Sequence, residues 1–286
     1  MPKAAFEIIH PEKRTTSVVF ASPHSGRDYP ASFLRGTILD QHMIRSSEDA
    51  FVDQLFDCAP SCGAPFLLAG APRAYIDLNR SAEELDPALI EDVSGGGRNP
   101  RIASGLGVVP RVVANGRPIY NGKISLSEAQ KRINSYWVPY HQALQKLLDD
   151  SHARFGAAIL IDCHSMPHEA LDNIVRSGAP RPDIVLGDRF GASAAAEIVD
   201  QIETAFMKAG LRVSRNTPFA GAYTAQHYGR PSRRQHTVQI EIDRSLYMNE
   251  QMIRPNNNFN TFRSLLCEVI GHIAEIGAQS RRLAAE

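Results

Sequence analysis

Apolar and polar positions follow two rhythms along this chain. Five short apolar runs are closed by polar or turn residues and read as buried strands: 17–21 (SVVFA), 66–69 (FLLA), 158–162 (AILID), 183–186 (DIVL) and 238–242 (VQIEI). Between them, apolar positions recur at helical spacing. Residues 49–58 carry Phe51, Val52, Leu55 and Phe56 on one face. Residues 126–155 form a longer pattern, with Ser125 or Ser127 as N-cap ahead of Glu128, and 192–209 and 259–285 complete the set. Strands alternating with helices predict an α/β fold with a mixed, mostly parallel sheet flanked by helices. Residues 81–121 break the rhythm. They are rich in Gly, Pro and Arg, include Gly95-Gly96-Gly97, and are expected to form a long irregular excursion that covers or borders a site. With no internal repeat, a single domain over residues 1–286 is expected.

Composition narrows the function classes. A chain of 286 residues, 43% apolar and 22% charged, is long enough to bury one large α/β core. Lys+Arg and Asp+Glu both total 31, so the basic excess of a nucleic-acid binder is missing. Arg230, Arg233 and Arg234 make a local site at most. No window approaches the roughly 20 apolar residues of a membrane span, and MPKAAFEIIHPEKRTT has no apolar core of leader length. The four cysteines, Cys58, Cys62, Cys163 and Cys267, are too irregularly placed for a disulfide framework. Cys58 and Cys62 are therefore expected to be buried thiols, and the compartment a reducing cytoplasm.

Reactive polar groups fall at the carboxyl ends of the apolar runs, where open α/β sheets bind ligands. SVVFA is followed by Ser22-Pro23-His24-Ser25-Gly26, and AILID by Cys163-His164-Ser165-Met166. Each histidine alone reads as easily as a turn residue. Together with a carboxylate, two strand-end histidines make the ligand set of a hydrolytic zinc, which keeps one position open. The carboxylate is Glu48, Asp49 or Asp53, unless these acids only cap a helix. Asp162, two residues before His164, has a spacing suited to holding that imidazole in its metal-binding tautomer. Residues 73–80 (RAYIDLNR) cross a strand-like run and end in Asn79-Arg80, a fork and an amide suited to a carboxylate. Glu241 lies inside VQIEI. A glutamate there is costly unless paired or catalytic, although Gln239 and Glu241 share a face that could simply be wet.

PHSG, an acidic segment at 48–53, DLNR, YWVPYH, DCHSMP, GAYTAQHYGRP and QIEIDRSLYM occur in that order from Phe20 to Met248. In this the chain resembles the N-formylglutamate amidohydrolase family. More distantly it resembles the aspartoacylase and zinc-carboxypeptidase group, which shares a phosphorylase/hydrolase-like α/β fold. The resemblance implies a zinc or other divalent metal on His24 and His164, with Glu241 as general base. It further implies Asn79 and Arg80 on a substrate carboxylate and Arg73 on the scissile carbonyl. The carboxypeptidase-like group has a ligand Glu three residues after the first His; here Arg27 stands there. Asp49 therefore matches the acidic position best, followed by Glu48. Arg230, His227 and Thr224 are the candidates for a second substrate carboxylate.

The function so implied is metal-dependent hydrolysis of a small N-acyl acidic amino acid, foremost N-formyl-L-glutamate to formate and L-glutamate, a step of amino-acid catabolism. A metal-free small-molecule binding module and an aspartoacylase- or peptidase-like hydrolase are the alternatives. Serine-nucleophile catalysis is not expected, because no Gly-x-Ser-x-Gly elbow is present. Neither a nucleic-acid nor a membrane partner is expected, and the oligomeric state stays open.

Overall fold

The computed structural model describes residues 4–94, 99–172, 178 and 180–283, apart from the side chains of Asn115 and of residues 279–283. Gly95-Gly96-Gly97 and the last two positions of the helix expected at 259–285 lie outside the described residues. Backbone contacts group the chain into two compact units. Residues 1–7, 23–48 and 68–143 form the first; residues 8–22, 49–67 and 144–286 form the second.

Among the described residues seven strands form one sheet: β1 (Phe6–Ile9), β2 (Val18–Ser22), β3 (Phe66–Ala69), β4 (Ala158–Met166), β5 (Ile184–Gly187), β6 (Val213–Arg215) and β7 (Gln235–Asp243). Their order is β1-β3-β2-β4-β7-β5-β6. β2 pairs parallel with β4, β4 with β7, and β5 with β6, whereas β5 runs antiparallel to β7. The sheet is thus mixed and mostly parallel, with helices flanking it, as the alternating pattern predicts. Both faces of its centre are covered. All five residues of β2 and all nine of β4 are buried, which explains continuous apolar runs in place of alternation. No helix among the described residues is long and apolar enough to cross a membrane.

Three expectations change. First, β4 and β7 are longer than their apolar cores. The strand expected at 158–162 continues through Met166, so His164 lies within β4 and not beyond it. Asp162, His164 and Ser165 are tolerated in a buried strand because neighbouring side chains satisfy them. Second, residues 73–80 form turns, not a strand. The Pro72 carbonyl accepts the Tyr75 and Ile76 amides, and the Asp77 amide goes to Val108 O at 2.8 Å. Asp77 Oδ1 also accepts the Asn79 amide at 2.8 Å, an Asx-turn that competes with sheet pairing. Third, the helix at 49–58 shrinks to one turn, Val52–Leu55. Phe51 precedes it at φ 68°, and Pro60 opens a short 3-10 turn, Ala59–Cys62, after it. Asp49 is therefore not a helix cap.

The long helical pattern at 126–155 is present, with an insertion. Ser125 caps it, accepting the Glu128 amide at 3.2 Å. An α-helical stretch, Leu126–Arg132, runs into a π turn, Ile133–Trp137, and then the α-helix Val138–Phe155. Pro139 accounts for the widening: its ring has no N–H and would clash with the carbonyl four residues back in an unbroken α-helix. The expectation for the cysteines also changes. Cys58 is bonded to Cys267 of the helix Phe259–Leu283, with Cα atoms 6.0 Å apart. Cys62 is free but only half-buried, while Cys163 is a buried thiol.

Candidate active site

In the first unit the chemistry gathers around one buried carboxylate. His24 follows the end of β2 by two residues, in a turn tight enough that a Cβ on Gly26 would sit 2.2 Å from Ala71 O. His24 Nε2 lies 2.7 Å from Asp77 Oδ1, and both residues are buried. Arg73 Nε donates to Asp77 Oδ2 at 3.1 Å. Burial alone would push the Asp77 pKa up. The charges of His24, Arg73 and Arg80 outweigh it and hold the carboxyl well below its ordinary value. Because a carboxylate only accepts, Nε2 is the His24 nitrogen that donates to it.

Asn79 and Arg80 are also buried, at 3% and 7% exposure. Arg80 Nε donates to Leu106 O, in the irregular segment 81–121, at 3.0 Å. Trp137 Nε1 donates to Arg80 O at 2.8 Å, and His141 Nε2 to Leu78 O at 3.0 Å. Burial lowers the Arg80 pKa, with Asp77 opposing it. Two guanidiniums face one carboxylate here, a surplus of positive charge that suits an anion.

In the second unit the parallel register of β4 and β7 builds the site. Asp162 is opposite Gln239 and His164 opposite Glu241, which places these four polar side chains on one face. All four are buried, so the face shared by Gln239 and Glu241 is not wet. His164 Nδ1 lies 2.9 Å from Asp49 Oδ2, and its Nε2 lies 3.1 Å from Asp162 Oδ2. Burial opposes charge on His164, but Asp162, Asp49 and Glu241 together raise its pKa well above the ordinary value. Arg244 Nη2 donates to Asp49 Oδ1 at 3.0 Å, and its Nε to Ser165 Oγ at 3.1 Å. Gln239 Nε2 donates to Glu241 Oε1 at 2.9 Å, while its Oε1 accepts the Ala222 amide at 3.2 Å. Asp49, Asp162 and Glu241 outnumber Arg244, a negative surplus that suits a cation.

Among the acids considered for a ligand, Asp49 is the one set against His164. Glu48 is held instead by Arg45, with Nη2 to Oε2 at 3.0 Å, and by the Tyr29 hydroxyl at 2.7 Å. Asp53 is half-buried on the single turn Val52–Leu55. The donor set of two imidazoles and a carboxylate, each imidazole held at Nε2 by an aspartate, fits a divalent ion of zinc type. Thr224 and His227 lie on the helix Tyr223–Tyr228, which starts beside Gln239. Thr224 is buried; His227 is exposed and stacks on Tyr223 with centroids 5.0 Å apart. Partial desolvation of this otherwise exposed ring, with the nearby Arg230, lowers the His227 pKa. The exposed Arg230 donates through Nη1 to Gln226 O and Gly229 O, both at 2.8 Å.

Asp77, Gln239 and Arg244 touch the candidate residues, and sequence reasoning passes over them. Asp77 stands inside DLNR, where only the Asn and Arg suggest a role. Its partner His24 is 53 positions away, and no local pattern pairs them.

A model of the N-formylglutamate amidohydrolase family matches residues 16–248. An N-formylglutamate deformylase of Pseudomonas aeruginosa is 27% identical over 254 residues, 86% of this chain and 87% of that protein. Its counterpart in Pseudomonas putida is 28% identical over 243 residues, 82% of each chain. The crystal structure of N-formylglutamate amidohydrolase from Ralstonia eutropha JMP134 superposes with a TM-score of 0.90 at 36% identity, covering 96% of this chain and 98% of that one.

Proposed function

This chain belongs to the N-formylglutamate amidohydrolase family, and we propose that it hydrolyses N-formyl-L-glutamate to formate and L-glutamate with a divalent cation, foremost zinc. The observation that carries the reading is that both candidate imidazoles are buried and held at Nε2 by an aspartate, His24 by Asp77 and His164 by Asp162, with Asp49 set against His164 Nδ1. The names of the Pseudomonas and Ralstonia relatives support the choice of substrate. In this reading the whole chain works as one amidohydrolase domain.

An ion held by His24, Asp49 and His164 would supply Lewis acidity towards water and the amide carbonyl. The rest falls to side chains. Glu241 accepts a proton from the attacking water as its oxygen bonds to the formyl carbon, and passes that proton to the amide nitrogen as the C–N bond breaks. The Gln239 amide orients the Glu241 carboxylate for both transfers. Arg73, tethered to Asp77 through Nε, turns its guanidinium towards the developing oxyanion; losing such a donor typically costs about 3–4 kcal/mol of barrier. Asn79 and Arg80 grip the α-carboxylate. Thr224, His227 and Arg230 take the side-chain carboxylate.

Two measurements test the proposal. Elemental analysis should find zinc in the purified protein and none in a His24→Ala, His164→Ala double variant; no metal in either, after zinc is supplied, overturns the triad. Glu241→Gln should keep the metal and lose turnover of N-formylglutamate. Near-normal turnover in that variant removes Glu241 from the base role. A panel of formyl, acetyl and peptidyl derivatives of Glu and Asp then separates a deformylase from its acylase-like alternatives.

A further inference from the structure

We propose that Trp137 and His141 are positioning residues that set the substrate-carboxylate pair Asn79-Arg80, and that the π turn at Ile133–Trp137 exists to present them. The inference rests on the reading that Asn79 and Arg80 bind the α-carboxylate.

The segment 73–80 has no sheet or helix ladder of its own; backbone carbonyls take its Tyr75, Ile76 and Asp77 amides, and three of its own carbonyls go to side chains. One helical rod supplies them. Arg132 Nη1 donates to Tyr75 O at 3.3 Å, His141 Nε2 to Leu78 O at 3.0 Å, and Trp137 Nε1 to Arg80 O at 2.8 Å. Leu78 and Arg80 flank Asn79, so the two rings fix the peptide units on either side of the binding pair. Arg132 adds a stacked contact, its guanidinium 4.2 Å from the Tyr75 ring centroid. The Trp137 and His141 rings pack on each other with centroids 4.0 Å apart, which steadies both donors.

The spacing of these donors explains the π turn. Trp137 and His141 are four apart and share a face. Arg132 and Trp137 are five apart, and in an uninterrupted α-helix they would point about 140° away from each other. The wider π turn between them absorbs the extra residue, and both side chains reach the same loop. Pro139 keeps the turn from relaxing into α geometry. A carbonyl accepts but cannot donate, so His141 contributes an Nε2–H and Trp137 its indole N–H.

The effect belongs to substrate binding. A loosened Asn79-Arg80 pair grips the α-carboxylate less well, while the metal ligands and Glu241 keep their places. Trp137→Phe keeps the ring and removes the donor. His141→Leu removes the donor, and His141→Gln retains an amide donor on a shorter arm. The assay uses metal-loaded enzyme and two substrates, N-formylglutamate and its α-carboxamide, with Arg80→Ala as reference and thermal unfolding to confirm that each variant is folded.

Trp137→Phe and His141→Leu should each raise KM for N-formylglutamate by about three- to tenfold, the range expected for one lost hydrogen bond, with kcat held within about twofold. The preference for the acid over the amide should shrink towards that of Arg80→Ala, and His141→Gln should recover part of it. If the parent enzyme prefers the acid and both donor-less variants keep its KM and its preference, the positioning role is overturned and the Arg80 reading stands. If the parent shows no preference and Arg80→Ala changes nothing, the carboxylate reading fails and this inference fails with it.

Discussion

Asp77 does three jobs with two oxygens: it meets His24 Nε2, accepts the Asn79 amide and pairs with Arg73. Exchanging one oxygen for an amide group removes part of that set while keeping the shape. If His24 is a zinc ligand as proposed, Asp77→Asn should weaken zinc binding by roughly 10- to 100-fold, the usual loss when the carboxylate behind a ligand imidazole is removed. Competition against a chelating dye measures this without any turnover assay. Unchanged affinity in a folded variant would mean that Asp77 shapes only the loop. The contrast with Asp162 shows what can be read from sequence at this scale. Asp162 and His164 are two apart on one strand, and alternation alone puts them on the same face. Asp77 and His24 are joined only by the path of the chain between them, so their pairing is invisible until the turns at 24–26 and 73–80 are built. The proposed acidic ligand falls between these cases. Glu48 and Asp49 are adjacent in sequence, and only Arg45 and Tyr29, which occupy Glu48, separate them.

Among the elements, the buried strands are legible because both faces are covered and the apolar runs are continuous. Their lengths are not, since β4 and β7 extend into polar residues that same-strand and loop side chains satisfy: His164 meets Asp162 and Asp49, Glu241 meets Gln239, and Ser165 meets Arg244. The π turn is hidden for a related reason. Periodicity sees one long amphipathic pattern, and only Pro139 marks the fault. Gly277 gives a quantitative test of packing against propensity. It lies inside the helix Phe259–Leu283, where alanine should gain about 1 kcal/mol of helix propensity. Yet a Cβ there would stand 2.2 Å from Thr16 Oγ1 and 2.7 Å from Ser17 Oγ. Thr16 cannot easily retreat, because its hydroxyl donates to Ala274 O at 2.6 Å. Overpacking of this kind costs about 1–3 kcal/mol and wins. Gly277→Ala should therefore lower the urea midpoint with the slope unchanged, and a higher midpoint would show that the helix slides away from residues 16–17 without cost.

At the scale of the whole molecule, the balanced charge of 31 basic against 31 acidic residues says nothing about the site, because it averages two opposite surpluses. Arg73 and Arg80 over Asp77 make one cluster positive; Asp49, Asp162 and Glu241 over Arg244 make another negative. The proposed reaction, with an anionic substrate and a cation, would draw on each. Cysteine count misleads in the same way. Four irregularly spaced cysteines carry no framework signal, yet Cys58 and Cys267 meet across a separation of 209 positions. A cross-link closing so long a loop restricts the unfolded chain strongly, and native disulfides typically contribute about 2–4 kcal/mol. In a reducing cytoplasm the same two sulfurs would be thiols and that contribution would be missing. Cys267→Ser should consequently lose stability against the parent protein in oxidising buffer and match it once a strong reductant is present. Urea unfolding of both proteins in the two buffers makes the comparison. A deficit that persists under reduction would assign the cost to packing at position 267, and no deficit in either buffer would show that the pair does not close in solution.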